Sequence, residues 1–237
     1  MRVDLYGDDI GAVEYISHMG TDLSVVNAAR VSFGTEKEEV DDRDIKLINY
    51  LIKHNHTSPF EHCTITMRFT VPLFIRGQHH RHRTWAYNEI SRRYTSVDMK
   101  FYGPSEFRSQ HKSNRQASTP DLINPDLNVE YQSLVPVSAY PASEAVRTHN
   151  LKSLSLYESL VRAGVCREQA RGVLPQNLYT QYYGTVNLHN LLKFVSLRIH
   201  EGAQWEIQRV AEACLQIAEQ YFPQSVEAYK NKKEVEN

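Results

Sequence analysis

Two stretches before residue 54 place apolar residues at the spacing of a helix with one buried face. They are 24–29 and 44–53, the second with Ile45, Ile48 and Ile52 on its stripe. Over 63–74 the period drops to two: Thr64, Thr66 and Arg68 alternate with Ile65, Met67 and Phe69 in a β-branched and aromatic run. That is the pattern of a strand with one face in the core. Helical spacing resumes over 143–163 and 167–173, where Pro175 ends it. The aromatic run 178–183 is short enough to be a strand or a buried helical turn. Asn187, a residue type suited to an N-cap, opens a helix through Leu188, Leu191, Leu192 and Val195. A further helix carries Ile207, Val210, Ala211, Cys214, Ile217, Ala218 and Tyr221 on one stripe. Helices and strands follow one another without regular alternation, which predicts an α+β fold and argues against a doubly wound sheet.

Residues 101–145 interrupt these patterns. They hold five of the nine prolines, along with Ser, Asn and Gln, and predict a long irregular excursion with a functional or oligomer-contact role. No composition shift marks a linker, so the expectation for this chain of 237 residues is one domain, 1–237, carrying that excursion. The polar end, 230–237, is expected to fray.

Composition narrows the class. Hydrophobic residues make up 41% and charged residues 23%, ordinary values for a globular protein. No apolar run approaches the roughly 18 residues that cross a bilayer. Asp4, Asp8 and Asp9 stand where a signal peptide would be basic and then apolar. Cys63, Cys166 and Cys214 are odd in number, widely spaced and without a C-x-x-C, so neither a disulfide framework nor a zinc site is suggested. A cytoplasmic protein without membrane partner or metal is the expectation.

The net charge of −1 gives no reason to expect a polyanionic partner such as nucleic acid. Locally the picture changes: between Arg76 and Arg93 lie five arginines and three histidines against one acid, Glu89. The ten glycines form neither G-x-G-x-x-G nor a P-loop, so a bound phosphate must be held by side chains. Arginine suits that role, because its planar fork donates paired hydrogen bonds and stays charged. Were Arg81-His82-Arg83 extended, the two arginines would share one face and His82 the other, letting two anionic ligands meet. Were 86–94 helical, Glu89 and Arg93 would form an i,i+4 pair.

Arg81-His82-Arg83, seven residues and then Ser91 matches the R-H-R-x7-S signature of the flavin-dependent thymidylate synthases. Gln78, Asn88, Glu89, Arg93 and Tyr94 around it are similar to that family. Upstream, His56-Thr-Ser-Pro-Phe-Glu-His62 resembles the family's His-x-Ser/Thr-Pro-Phe-Glu-His segment. Downstream, Arg167 to Pro175, Asn177-Leu-Tyr-Thr180, Phe194-Val-Ser-Leu-Arg198 and Ala203-Gln-Trp-Glu-Ile207 follow in the family's order. The resemblance covers most of the chain outside 101–145.

The resemblance implies a mixed sheet packed with helices, in a homotetramer whose active sites are shared between subunits. It implies conversion of dUMP to dTMP, with methylenetetrahydrofolate as one-carbon donor and FAD, reduced by NADPH, as hydride source. By similarity Ser58, Arg81, His82, Arg83, Glu89 and Asn187 contact FAD, as do His189 and Lys193, where relatives often carry Arg and Asn. Gln78, Arg81, Glu89, Ser91, Arg93 and Arg171 hold dUMP, and Arg198 activates the uracil ring. His56 positions folate or moves a proton. Gly202 stands where several relatives carry histidine. In a continuous helix, positions 187 and 198 fall within roughly 20° of each other and about 16 Å apart along the axis, so one face serves flavin at its start and pyrimidine at its end.

Two rival classes use the same residues. A metal-dependent hydrolase would draw on His56, Glu61, His62, His79, His80 and His82, but H-E-x-x-H is absent and nearby arginines repel a cation. An RNA-binding module would stack bases on Trp85, Tyr87 and Tyr94, for which core packing is the ordinary role.

Overall fold

The structure is a computed structural model and describes residues 1–115, 117–128 and 139–236. In chain order its elements are β1 (Arg2–Asp4), β2 (Ala12–Met19), α1 (Asp22–Arg30), α2 (Asp42–Lys53), β3 (Thr64–Pro72), α3 (Leu73–His79), β4 (Ala86–Glu89), β5 (Phe107–Gln110), β6 (Ser118–Ile123), β7 (Asp126–Leu127), β8 (Tyr140–Pro141), α4 (Ala142–Arg162), α5 (Arg167–Ala170), β9 (Tyr179–Asn187), α6 (Leu188–Arg198), α7 (Trp205–Glu219) and α8 (Pro223–Glu236). Contacts group the chain into two compact units: 1–71 with 75–89 and 181–237, and 72–74 with 90–180.

The first unit is built on a five-stranded sheet in the order β1-β2-β3-β9-β4. β1 with β2, β2 with β3, and β4 with β9 pair antiparallel. Hydrogen bonds from Thr66 to Thr185 and from Gln181 to Thr70 run in opposite senses along β3 and β9, so that pair is antiparallel too. The α+β expectation therefore holds, and the sheet itself is antiparallel where a mixed one was expected. β3 keeps the period read from the sequence: Ile65, Met67, Phe69 and Val71 are buried, while Thr64, Thr66, Arg68 and Thr70 are half-buried. Burying each such apolar side chain stabilises the fold by about 1.5–3 kcal/mol. The strand ends at Pro72, two residues earlier than the composition suggested, because Leu73 and Phe74 already belong to α3.

The helices begin where their caps dictate. Asp41 accepts from the N–H groups of Arg43 and Asp44, and the Asp44 carboxylate accepts from the N–H of Asp41, closing a reciprocal box ahead of α2. Asn187 ends β9 and caps α6, its Oδ1 accepting from the N–H of Asn190 at 2.9 Å. The run left open at 178–183 is strand from Tyr179 on, in β9, with Leu178 in an isolated bridge to Phe101. α2 packs on α8, α6 on α7, and α7 on β2. Residues 230–236 of the polar end form the last part of α8, where Lys232 Nζ donates to the Ile52 carbonyl and to Asn55 Oδ1.

The second unit holds α4, α5 and two short antiparallel strand pairs, β5 with β6 and β7 with β8. These pairs lie within the 101–145 stretch read as irregular, and 116 and 129–138 of that stretch lie outside the described residues. After α5 the chain tightens into a 3-10 turn, Arg171–Val173, before Pro175. Among the described residues no helix is long and apolar enough to cross a membrane.

Candidate active site

The basic cluster leaves α3 in tight turns. Arg81 N–H donates to the Gln78 carbonyl at 3.3 Å, His82 N–H to the His79 carbonyl at 3.0 Å, and Trp85 N–H to the His82 carbonyl at 3.4 Å. The extended alternation considered for Arg81-His82-Arg83 is thus replaced by a turn that leaves both arginines exposed and His82 half-buried. Tyr87 fixes this turn from below, its hydroxyl reaching the carbonyls of His79 (2.9 Å) and His82 (3.2 Å) while its ring stacks on His80 at 4.0 Å.

Beneath the turn lies an aromatic floor. His79 is fully buried, bonded through Nδ1 to the Tyr182 hydroxyl at 2.8 Å and packed against Phe69, Trp85 and Phe194. Burial, then the charges of His82, His80 and Arg198, hold its pKa well below the usual histidine value, so the ring is neutral. Trp85, only 5% exposed, is part of this floor and offers no face to an RNA base. Tyr87 is half-buried against the turn, and Tyr94 alone of the three proposed stacking residues is open, at 77% exposure.

Arg198, the last residue of α6, donates through Nε to Nε2 of His82 at 3.0 Å. Burial, then the charges of Arg198 and Lys193, push His82 down to about 4. Burial lowers the Arg198 pKa as well, though a guanidinium remains charged in any working range. α6 is continuous from Leu188 to Arg198 with Asn187 as its cap, so the single-face geometry expected for 187–198 is present. On that helix His189 and Lys193 join His56 in lining a cavity of about 260 Å³. Its floor is Leu51, Ile52, Phe60 and Leu192, and Asn55, Thr57, Ser196, Tyr229, Lys232 and Lys233 complete it. No carboxylate is among these lining residues. Burial lowers the His189 pKa, with Glu61 opposing and Lys193 adding to the effect. Ser58 starts a 3-10 turn beside this cavity's Thr57 and does not itself line it.

Glu89 ends β4 and is paired with Arg76 of α3 at 3.2 Å. The helix that would make Glu89 and Arg93 an i,i+4 pair is not formed, because 86–89 is strand and 92–94 a turn. The Gln78 amide bonds to Gln204 at 2.5 Å, at the entrance to α7. Gly202, one of the departures from the family pattern, donates its N–H to Nδ1 of His200 at 3.0 Å.

Ser91, Arg93 and Arg171 belong to the second unit. Ser91 Oγ accepts from the N–H of Arg93 at 3.3 Å, and the Arg93 guanidinium lies over the Tyr94 ring at 5.3 Å. Arg171 opens its 3-10 turn and reaches back to the Glu168 carbonyl at 3.3 Å. Arg92, not singled out in the sequence, is the structural arginine of this segment, donating to the carbonyls of Val97 (2.8 Å) and Tyr179 (3.4 Å). His79 and Tyr87 were marked only as metal-ligand and base-stacking candidates of the rival classes, and Gln204 only within a family segment: nothing in their local pattern separates a histidine, aromatic or glutamine that fixes a site from an ordinary one. Among the described residues no group of three or more His, Cys, Asp or Glu is placed to hold a metal ion.

The model of the thymidylate synthase complementing protein family matches residues 14–224. The flavin-dependent thymidylate synthase of Thermus thermophilus is 40% identical over 215 residues, 91% of this chain and 74% of that protein. The one from Thermotoga neapolitana is 38% identical over 221 residues, 93% of this chain and 91% of that protein. Among solved structures, a UMP/dUMP methylase, PolB, from Streptomyces cacaoi bound with 5-Br dUMP superposes with a TM-score of 0.77 at 30% identity, covering 97% of each chain. With its arginine-histidine-arginine turn, its capped α6 ending in Arg198 and a family match over most of its length, the chain belongs to the thymidylate synthase complementing protein family, the flavin-dependent thymidylate synthases.

Proposed function

We propose that this chain converts dUMP to dTMP, with methylenetetrahydrofolate as one-carbon donor and NADPH as reductant. The observation that carries the reading is Arg198, held at the end of the helix that begins with Asn187 and lines, through His189 and Lys193, a cavity with no carboxylate among its described lining residues.

FAD fits the donors present. Arg81 and Arg83 are exposed on the turn, Lys193 and His189 line the cavity, and Asn187 stands at the N-terminus of α6, a set rich in N–H donors and positive charge suited to a diphosphate. Ser58, Arg81, His82, Arg83, Glu89, Asn187, His189 and Lys193 hold it in this reading. When bound, it supplies the hydride that completes the methyl group. Gln78, Arg81, Glu89, Ser91, Arg93 and Arg171 hold dUMP, the arginines and Ser91 taking the phosphate. Active sites shared between subunits of a homotetramer belong to the same reading.

Arg198 does the electrostatic work. A guanidinium beside the uracil stabilises negative charge as N3 ionises, raising electron density at C5, where the new carbon attaches. His56, exposed at the cavity, positions folate or carries a proton. Anaerobic incubation of the purified protein with dUMP, methylenetetrahydrofolate, NADPH and FAD tests this directly: dTMP forms with wild type. Absence of dTMP under these conditions would overturn the reading.

A further inference from the structure

α6 supplies two contacts to the His82 ring, and the His79 ring of α3 lies beside it with centroids 6.4 Å apart. Nε2 of His82 accepts the Nε–H of Arg198 at 3.0 Å, and its ring meets Phe194 edge-on, centroids 4.9 Å apart at 88°. Phe194 and Arg198 are four residues apart and so lie on the same helix face, one turn from each other. The imidazole therefore bridges a full turn of α6. Its backbone is held just as firmly, by the N–H bond to the His79 carbonyl and the Tyr87 hydroxyl on the His82 carbonyl.

The direction of the Arg198 bond follows from its chemistry. A guanidinium has donors and no acceptor, so Nε2 of His82 must offer its lone pair, and the ring proton resides on Nδ1. A doubly protonated imidazole would set N–H against N–H and two positive charges against each other. Burial and the nearby Lys193 charge favour the same neutral form. Because the contact engages Nε, it fixes the guanidinium plane without using either Nη group, and an acceptor approaching the Nη edge meets a donor pair already oriented.

We propose that His82 is a positioning residue for Arg198: as the Nδ1–H tautomer it holds the guanidinium plane so that the Nη edge faces the pyrimidine, and Nδ1–H is its remaining donor toward the cofactor. This rests on the reading of Arg198 as the group that activates uracil. It assigns the two nitrogens of His82 different duties, which one-atom replacements can separate. Glutamine carries an oxygen about as far out as Nε2; asparagine reaches only as far as Nδ1; phenylalanine keeps the ring and offers neither.

The test measures kcat for dTMP formation at saturating dUMP and FAD in His82→Phe, His82→Gln and His82→Asn, each also combined with Arg198→Lys, together with the FAD dissociation constant. His82→Phe lowers kcat by roughly 10- to 100-fold, the range for losing a hydrogen bond to a charged group, while His82→Gln stays within about 5-fold of wild type. In the Arg198→Lys background the same His82→Phe change costs less than about 3-fold, because its effect acts through the arginine. An equal loss in both backgrounds, or His82→Asn outperforming His82→Gln, overturns the proposal. A second readout does not depend on turnover: 15N spectra of histidine-labelled holoenzyme near neutral pH, with His82 assigned by its loss in His82→Gln. An unprotonated Nε2 supports the contact even if wild type makes no dTMP, which would sink only the functional reading; a protonated Nε2 overturns the positioning role whatever the activity.

Discussion

Asp22, the first residue of α1, caps a helix that begins two hundred residues later: its carboxylate accepts the N–H of Gln224 at 2.8 Å and the N–H and hydroxyl of Ser225. These are first-turn donors of α8, which has no partner for them within its own turns. The acid also stands at the positive end of that helix. α8 in turn packs on α2 and brings Tyr229, Lys232 and Lys233 to the cavity lined by His56 and Lys193.

Replacing Asp22 by alanine strands buried donors and is expected to destabilise the chain by about 1–3 kcal/mol, with Asp22→Asn costing less because an acceptor oxygen remains. Urea unfolding midpoints at constant slope measure it. Equal midpoints for wild type and Asp22→Ala would show that the cap is not a stabilising contact.

Gly184 of β9 lies opposite Tyr87, and a Cβ there would come within 2.9 Å of the Phe69 ring and 3.1 Å of Trp85. The missing side chain lets the aromatic floor lie close to the strand. Gly184→Ala is expected to cost about 1–3 kcal/mol through overpacking. Near-UV circular dichroism of Trp85 and Tyr182 should change along with the melting temperature; an unchanged spectrum and melting temperature would contradict the packing described.

Asn187→Ala removes the acceptor for the Asn190 N–H and is expected to cost about 0.5–2 kcal/mol. If Asn187 also contacts FAD, the dissociation constant for FAD rises more in Asn187→Ala than in Asp22→Ala, which acts on the cavity only through the anchoring of α8. Fluorescence titration with FAD separates the two effects.

His82 and His79 are both held below their ordinary values, His82 at about 4, chiefly by burial. The unfolded chain therefore binds more protons than the folded one as pH falls from about 6.5 toward 4, and stability must decline across that window. It is fully present above the unfolded value. Urea midpoints at pH 7.5 and pH 5 check this, with a smaller difference expected in His82→Gln; a pH-independent wild type would rule it out.

Lys193→Glu places a carboxylate in a cavity that has none among its described lining residues. Weaker FAD retention, more pronounced at low ionic strength where charge is least screened, is the expected result. Retention equal to wild type across salt concentrations would remove Lys193 from the cofactor's contacts.

Much was legible in the chain itself. The alternation in 63–74 gave β3, the stripe through Ile207 and Ile217 gave α7, and Asn187 gave the start of α6, because these patterns report which face of a local element meets the core. The motif residues marked His56, His189 and Lys193, and the cavity brings them together. The conformation of Arg81-His82-Arg83 was not legible, since a three-residue segment has no period to read; backbone bonds back to Gln78 and His79 make it a turn. Whether 86–94 is helical was likewise left open by the spacing; 86–89 is strand, and Glu89 pairs with Arg76 of α3.

By itself the sequence determined the strongly periodic elements, such as α2, β3, α6 and α7, the family and the inventory of charged and hydrogen-bonding groups, all of which are set by local spacing and residue chemistry. Tertiary structure decided which of those groups meet: Arg198 with His82 across 116 residues, Asp22 with Ser225 across 203, Arg76 with Glu89 across a turn. The first two pairings depend on how separated segments pack, and the third on whether the intervening chain is helix or strand. Neither is a periodic property of the chain.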